Sequence, residues 1–346
     1  MDHLNSSQLY NNQSGLDSVF TRQVLPSLYF LVFLVGLVLN GVAACIFFRV
    51  PSDSGMVVYL KNMVVADLLM LVSFPFKLAL QLGLGDWRIH VVTCRYTAVL
   101  FYYSMYVGIV FMGLVSIERY LKIVRHTSSC CASSSCRSRL CGTSALHVTQ
   151  SVGFARVLAL LTWSLLLISA LPNCILTSEP AHEENARDCI GLKTPLGKRW
   201  HHGSINFSVS LFWVTLLVFV FCYVSIAHRV YQSYRRAQHA TSNVCRKSSR
   251  SIFSVLAVFV VCFVPYHVCR VPYTFSQRTD SDVSWDTRFL LYQLKKGTLF
   301  LSSLNVCLDP VIYVLTCQTF RESLLRKLAG GETTRSLTAV QSLSKL

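Results

Sequence analysis

The chain has 346 residues, 53% of them hydrophobic and only 14% charged, with a formal net charge of +16. A soluble domain of this size is nearer a quarter charged, so the composition argues for a membrane protein and against a soluble globular one. The excess of Lys and Arg does not point to nucleic acid, because these residues sit mostly between apolar stretches and not on one amphipathic face.

The chain opens on an Asn- and Ser-rich leader, residues 1–23, and its first apolar run starts near Val24, so no cleavable signal peptide is expected. Seven apolar spans follow, at about 24–49, 57–82, 91–122, 154–176, 203–233, 250–276 and 288–315. The odd number puts the two termini on opposite sides. Arg119, Lys122, Arg125, Arg137, Arg139 and Arg156 flank the loop after span three. Arg229, Arg235, Arg236, Arg246, Lys247 and Arg250 flank the loop after span five, whereas the leader holds only Arg22. The positive-inside rule therefore places the N-terminus outside the cell and the C-terminus in the cytoplasm. Sequons at Asn5 and Asn12 agree with an outer, glycosylated leader; a third, at Asn206, falls inside span five and is set aside.

Span three carries the most information. From Cys94 to Tyr120 it reads CRYTAVLFYYSMYVGIVFMGLVSIERY, with no charge between Arg95 and Glu118. At about 1.5 Å per helical residue it is long enough to cross a hydrocarbon core of about 30 Å. Of the fourteen cysteines, only Cys94 and Cys189 are clearly extracellular in this topology. They are one candidate disulfide, the alternative being two free thiols. Residues 126–152 form a Ser/Cys-rich loop without periodicity, read as a low-complexity cytoplasmic segment; its cysteines also admit metal binding or acylation. After the bundle, 24–316, residues 317–329 place Phe320, Leu324, Leu325 and Leu328 at helical spacing opposite Arg321, Arg326 and Lys327. That pattern predicts an amphipathic helix on the inner leaflet, with Cys317 at its start as a palmitoylation candidate and 330–346 as a cytoplasmic tail. The expected fold class is all-α: a seven-transmembrane helix bundle with a short membrane-surface helix.

Charge inside a bilayer is costly and usually functional. Asp67 in span two, Asp309 and Asn305 in span seven and Asn40 in span one can share one hydrated polar cluster. Na⁺ between the carboxylates is one reading of it, and a protonated acid bonding its neighbours is the other. No further cofactor or metal is expected. Pro265 and Pro310 interrupt spans six and seven, each removing a backbone hydrogen bond and leaving a potential hinge.

Taken together, Asn40, Asp67, Glu118-Arg119-Tyr120, Trp163, Phe263-Val-Pro265 and Asp309-Pro310-x-x-Tyr313 fall in order on the right spans. The pattern resembles the rhodopsin-like (class A) G-protein-coupled receptors over about residues 24–328. The stretches YLKNMVVADLLM, FPFKLAL, LKTPLGKRWH, CFVPYHVCRVPYTFSQ and KKGTLFLSSLNVCLDPVIY narrow it further. They are similar to the metabotropic purinoceptor family, in the branch holding the ADP and UDP-sugar receptors and several orphans. Many members of that branch carry a second disulfide from the leader to the loop after span six. Here residues 1–23 and 278–287 contain no cysteine, a double absence that favours an orphan-like member. Lys295-Lys296 stands where the branch usually has Lys-Glu, Glu118 where it usually has Asp, and His126 where a proline is usual.

The resemblance implies a receptor for an extracellular phosphate-bearing ligand, a nucleotide or nucleotide-sugar. Arg270 and Lys295 match the family's phosphate-binding positions, with His267 and Tyr273 a turn to either side of Arg270. Tyr102 and Tyr106 line span three, Lys77 ends span two, Lys193 follows Cys189, His201 begins span five, and Lys296 adds charge. Arg supplies a fork and Lys a point charge for phosphate, and Tyr102 a stacking face for a base. Lys198 and Arg199 are peripheral and expected to pair with loop acids. The implied switch holds Arg119 on Glu118 at rest. Ligand draws spans six and seven toward span three, the Pro265 and Pro310 hinges move span six, and Tyr223 and Tyr313 restack beside the freed Arg119. A heterotrimeric G protein, of the Gi class by resemblance, is the partner at the plasma membrane, with membrane lipids around it. The alternatives are a lysophospholipid phosphate such as lysophosphatidic acid as ligand, or a constitutively active or heterodimerising orphan. An enzyme is disfavoured, since no P-loop, nucleophile elbow or HExxH occurs, and a transporter is disfavoured by the lack of an internal repeat.

Overall fold

The computed structural model describes residues 18–84, 86–130, 151–177, 189, 191–236, 242–276 and 283–328. The two leader sequons and most of segment 126–152 lie outside these residues, as do the loop acids expected to pair with Lys198 and Arg199, namely Glu179, Glu183, Glu184, Asp188 and Asp282. Among the described residues every regular element is helical. Seven helices are long and apolar enough to cross a membrane. They are α1 (Phe20–Phe47), α2 (Gly55–Gln81), α3 (Trp87–Ile123), α4 (Val152–Ile175), α5 (Pro195–Arg229), α6 (Ser254–Ser276) and α7 (Trp285–Thr316). A short α8 (Gln318–Leu328) follows.

The core is built inside out relative to a soluble protein. Leu160, Ile168, Leu217 and Val224 stand on the outside with most of their surface exposed, while Asn40, Asp67, Asn305 and Asp309 are buried. Lipid solvates the apolar side chains, so the polar ones collect where they can bond one another. α3 is the pillar, packing against α2, α4 and α5, while α6 leans on α7 and α1 closes the ring against α2 and α7. Small residues set the closest approaches: a Cβ at Gly36 of α1 would fall 2.9 Å from Val306 on α7.

Several boundaries differ from the expected spans. α5 starts at Pro195, eight residues before the expected 203, because proline suits the first turn of a helix and the polar run Lys198–His202 is helical without being apolar. His201 therefore lies in the second turn and does not begin the span. α7 is interrupted at Leu304, so its two parts meet beside the buried acids. α8 starts at Gln318, and Cys317 is the extended residue ahead of it. α8 packs one face on the bundle. Phe320 is 3% exposed, stacked on Phe47 with centroids 4.8 Å apart and edge-on to Tyr313 at 6.0 Å. Leu325, by contrast, faces outward.

Candidate functional site

At one end of the bundle Cys94 and Cys189 form a disulfide, with Cα atoms 5.2 Å apart, tying α3 to the segment ahead of α5. Below it, α2, α3, α6 and α7 hold the candidate ligand residues. Arg270 on α6 lies over the rings of Tyr102 and Tyr266, at 5.4 and 5.5 Å from their centroids. Its Nη1 donates to the Tyr106 hydroxyl at 3.1 Å. The Tyr106 hydroxyl is 3.1 Å from His267 Nε2, and His267 Nδ1 is 2.8 Å from the Phe263 carbonyl. A carbonyl only accepts, so Nδ1 carries the proton and Nε2 accepts from Tyr106. The result is one directed chain, Arg270 to Tyr106 to His267 to the backbone two residues before Pro265. His267 is also stacked on Phe212 of α5, with centroids 3.6 Å apart. Three helices are therefore joined beneath the guanidinium.

Lys295 and Lys77 approach the same cleft from α7 and α2. The Lys295 ammonium stands 4.0 Å from the Tyr273 ring centroid, and that of Lys77 lies 3.8 Å from Tyr29 and 4.7 Å from Phe101. Lys296 lies over Tyr292 at 5.2 Å. These cations are close enough to repel one another: Lys77 feels Lys295 and Lys296, and Lys295 feels Lys296 and Arg270. Among the described residues, Arg270, Lys295 and Lys77 have aromatic faces as partners and no carboxylate. All three side chains are partly buried, and cation–π contact contributes about 0.5–2 kcal/mol to each. An anion in the cleft would offset their mutual repulsion.

Two expected ligand residues are engaged elsewhere. Lys193 is buried, and its ammonium donates to Thr177 Oγ1 at 3.1 Å and the Asn173 carbonyl at 3.5 Å. Burial pushes that ammonium below the usual lysine range, with Cys174 partly opposing the shift. Its work is to pin the segment after Cys189 to the end of α4. His201 Nδ1 meets Asn173 Oδ1 at 3.2 Å in the same junction, and its ring feels the charges of Lys193, Arg270 and Lys295. Asn173, Tyr266, Tyr29 and Phe101 escaped the sequence reading. Tyr266 had a signal, lying between Pro265 and His267; the others had none, since their roles depend on which helices meet.

In the middle of the bundle Asn305 Nδ2 donates to Asp67 Oδ1 at 3.4 Å and Tyr313 donates to Asp67 Oδ2 at 3.0 Å. Asn40 Nδ2 donates to the carbonyls of Gly36 and Val306. Both oxygens of Asp309, with Asn40 Oδ1 and Asn305 Oδ1, are buried without a hydrogen-bond partner among the described residues. Two carboxylates and two amide oxygens in one buried place suit a hard cation, so the donor set fits Na⁺.

At the other end the switch residues are arranged differently from expectation. Glu118 is paired with Lys122, one turn on, at 3.4 Å. Arg119 is hydrogen-bonded to Tyr223, whose hydroxyl also meets Ser116 at 3.4 Å. Tyr313 is not beside them; it is held on Asp67. Tyr120 packs edge-on to Phe221 of α5, and Phe263 is fully buried against Phe259. Pro265 and Pro310 both lie inside helices. The Cys317 thiol is buried beneath α8, and burial pushes it up from its ordinary value. In this conformation it is a poor acylation site, because both exposure and thiolate are lacking.

The family profile described as 7 transmembrane receptor (rhodopsin family) matches residues 39–144 and 139–313. The chain belongs to this receptor family. The match breaks inside 126–152, the segment whose composition is atypical. The receptor is 43% identical to purinoceptor 14 of Bos taurus over 312 residues, 90% of this chain and 87% of the relative. It is 38% identical to G-protein coupled receptor 87 of Mus musculus over 340 residues, 98% and 90% of the two chains. It is 37% identical to purinoceptor 13 of Homo sapiens over 320 residues, 92% and 85%. The receptor is thus a multi-pass membrane protein whose partners are a small-molecule agonist and a G protein.

Proposed function

We propose that this receptor detects an extracellular nucleotide or nucleotide-sugar and signals through a Gi-class G protein, with its disulfide end outside the cell and α8 in the cytoplasm. One observation carries the ligand class: Arg270, Lys295 and Lys77 converge on a cleft without an acid among the described residues, each held on tyrosine or phenylalanine faces. The guanidinium takes phosphate oxygens as a fork, Lys295 and Lys77 neutralise the remainder, and Tyr102 offers its ring to the base. Relatives bearing the name purinoceptor support the reading. A phosphate that draws on Arg270 changes its bond to Tyr106, hence to His267, beside the Pro265 hinge. Movement of α6 there alters the Arg119–Tyr223 contact and opens the surface a G protein needs.

The test is a dose–response panel in cells expressing the receptor. Nucleoside diphosphates and nucleotide-sugars are expected to suppress forskolin-driven cAMP, and pertussis toxin to abolish the effect. A response confined to lysophosphatidic acid overturns the ligand class. Silence across the panel with high basal signalling overturns the small-agonist reading altogether.

We also propose that Na⁺ occupies the buried cluster, held by Asp67, Asp309, Asn40 and Asn305, and favours the resting state. A cation bound to one state shifts the equilibrium only by its differential affinity. Exchanging Na⁺ for N-methylglucamine should raise agonist affinity roughly fivefold or more, a common size for such coupling. Asp309→Asn should erase that sensitivity. Sodium dependence that survives both Asp309→Asn and Asp67→Asn would sink the assignment.

A further inference from the structure

We propose that the groove between α1 and α8 binds one acidic phospholipid of the cytoplasmic leaflet, its acyl chain lying along α1 and its head group on Lys327. The proposal rests on the orientation proposed above, with α8 in the cytoplasm, and not on the ligand assignment.

The groove has a volume of about 590 Å³. One wall is a stripe of α1 that includes Leu37, Gly41 and Cys45, and the other is Leu324 and Lys327 of α8. Gly41 forms the floor, since an added Cβ there would meet nothing within 4 Å. From Leu37 to Cys45 the stripe runs about 12 Å at the rise of an α-helix. Lys327 is the one charged residue that lines the groove, and it stands on the helix at the cytoplasmic end.

The shape selects a chain and the charge selects its head. Leu37 and Val42 of this stripe are exposed on the lipid-facing side of the bundle. Water finds almost no polar partner on such walls, so hydrocarbon fills them. At the mouth, Lys327 and its neighbour Arg326 are both exposed in the last turn of α8. Glu322, the one acid of α8, accepts from Gln318 Nε2 at 2.7 Å, a turn earlier on the helix. A cation at the surface of an anionic leaflet tightens attachment about fivefold, and a zwitterionic head gains less because it brings its own cation.

The consequence reaches the middle of the bundle. Leu324 lies one turn beyond Phe320, which is stacked on Phe47 and edge-on to Tyr313. A chain seated between Leu324 and α1 fills the space beside that stack and opposes the departure of α8. Tyr313 in turn donates to Asp67. The bound lipid therefore favours the state in which Tyr313 stays on Asp67.

The experiment uses the full-length receptor without agonist, so that its failure leaves the nucleotide reading untouched. Phosphatidylserine and phosphatidylcholine of matched chains are titrated in mild detergent and counted by native mass spectrometry. A phosphatidylserine with a diazirine on its acyl chain locates the site. One phosphatidylserine is expected to bind severalfold tighter than phosphatidylcholine and to cross-link between Leu37 and Cys45. Lys327→Gln should weaken phosphatidylserine about fivefold and leave phosphatidylcholine unchanged. Gly41→Leu, which fills the floor, should weaken both lipids. Arg156→Gln, which removes an exposed cation from the start of α4, should change neither. Equal binding of the two lipids, cross-links spread around the bundle, or an equal loss in Lys327→Gln and Arg156→Gln would each overturn the proposal. Should Gly41→Leu fail to fold, the cross-linked peptide and Lys327→Gln decide.

Discussion

Arg270→Ala should reduce the potency of a phosphate-bearing agonist by about a hundredfold or more while leaving the receptor at the cell surface. The magnitude follows from the cost of leaving a buried charged partner unpaired, about 2–5 kcal/mol. Two groups lose their partner at once, the ligand phosphate and the Tyr106 hydroxyl to which Arg270 Nη1 donates. Folding should survive, because Arg270 makes no ion pair among the described residues and its removal relieves repulsion with Lys295. Arg270→Lys separates charge from geometry. Lysine keeps the positive charge but not the fork, and a loss of about tenfold, intermediate between wild type and alanine, is expected. Concentration–response curves with surface receptor counted on the same cells check both. An Arg270→Ala receptor with wild-type potency would remove the guanidinium from the ligand site.

Gly197→Ala should cripple the receptor by a different route, through the junction of α4 and α5. The Leu176 carbonyl at the end of α4 accepts from the Thr194 amide at 3.1 Å and the Thr194 hydroxyl at 3.2 Å. The Thr194 hydroxyl oxygen in turn accepts from the Gly197 amide at 3.0 Å. A Cβ on Gly197 would fall 2.5 Å from that same carbonyl oxygen and 3.0 Å from the Leu176 Cβ. The obstacle is backbone, which cannot rotate away as a side-chain tip can. Overpacking of this kind costs about 1–3 kcal/mol, and here it also spoils the helix cap. Surface expression should fall several-fold and the melting temperature of purified receptor should drop. Gly203→Ala, further along the same helix, is the control. Nothing lies within 4 Å of its added methyl, so it should be neutral or slightly stabilising, as Ala for Gly in a helix usually is. Equal behaviour of the two variants would show that the α4–α5 junction has slack.

The junction also explains why Lys193 was legible only in part. A lysine just after the outer cysteine, ahead of a basic cleft, reads as a ligand contact. In the fold it turns the other way, beneath the end of α4, and spends its donors on Asn173 and Thr177. Nothing local distinguishes the two outcomes, because the deciding partners are 16 and 20 residues earlier, at the end of another helix. Glu118 is a similar case. Its neighbour Arg119 is adjacent in sequence but points to another face of α3, whereas Lys122 is one turn on and on the same face. Phe320 looks like a lipid-facing residue of α8 by periodicity, and becomes a bundle residue because Phe47 and Tyr313 present their rings to it.

By itself the sequence determined what depends on solvent and on periodicity: seven helices that must satisfy their own backbones in lipid, and the family to which their motifs belong. It also picked out the buried acids and the cationic positions, since a charge inside an apolar run is conspicuous whatever its partner. The tertiary structure decided the partners. It set Arg270 on Tyr106 and Tyr266, diverted Lys193 and Cys317 to structural places, and buried the Asp309 oxygens in the same cluster as Asp67. The reason is physical: burial cost is written residue by residue along the chain, but the hydrogen bond that offsets it comes from whichever helix the packing brings alongside.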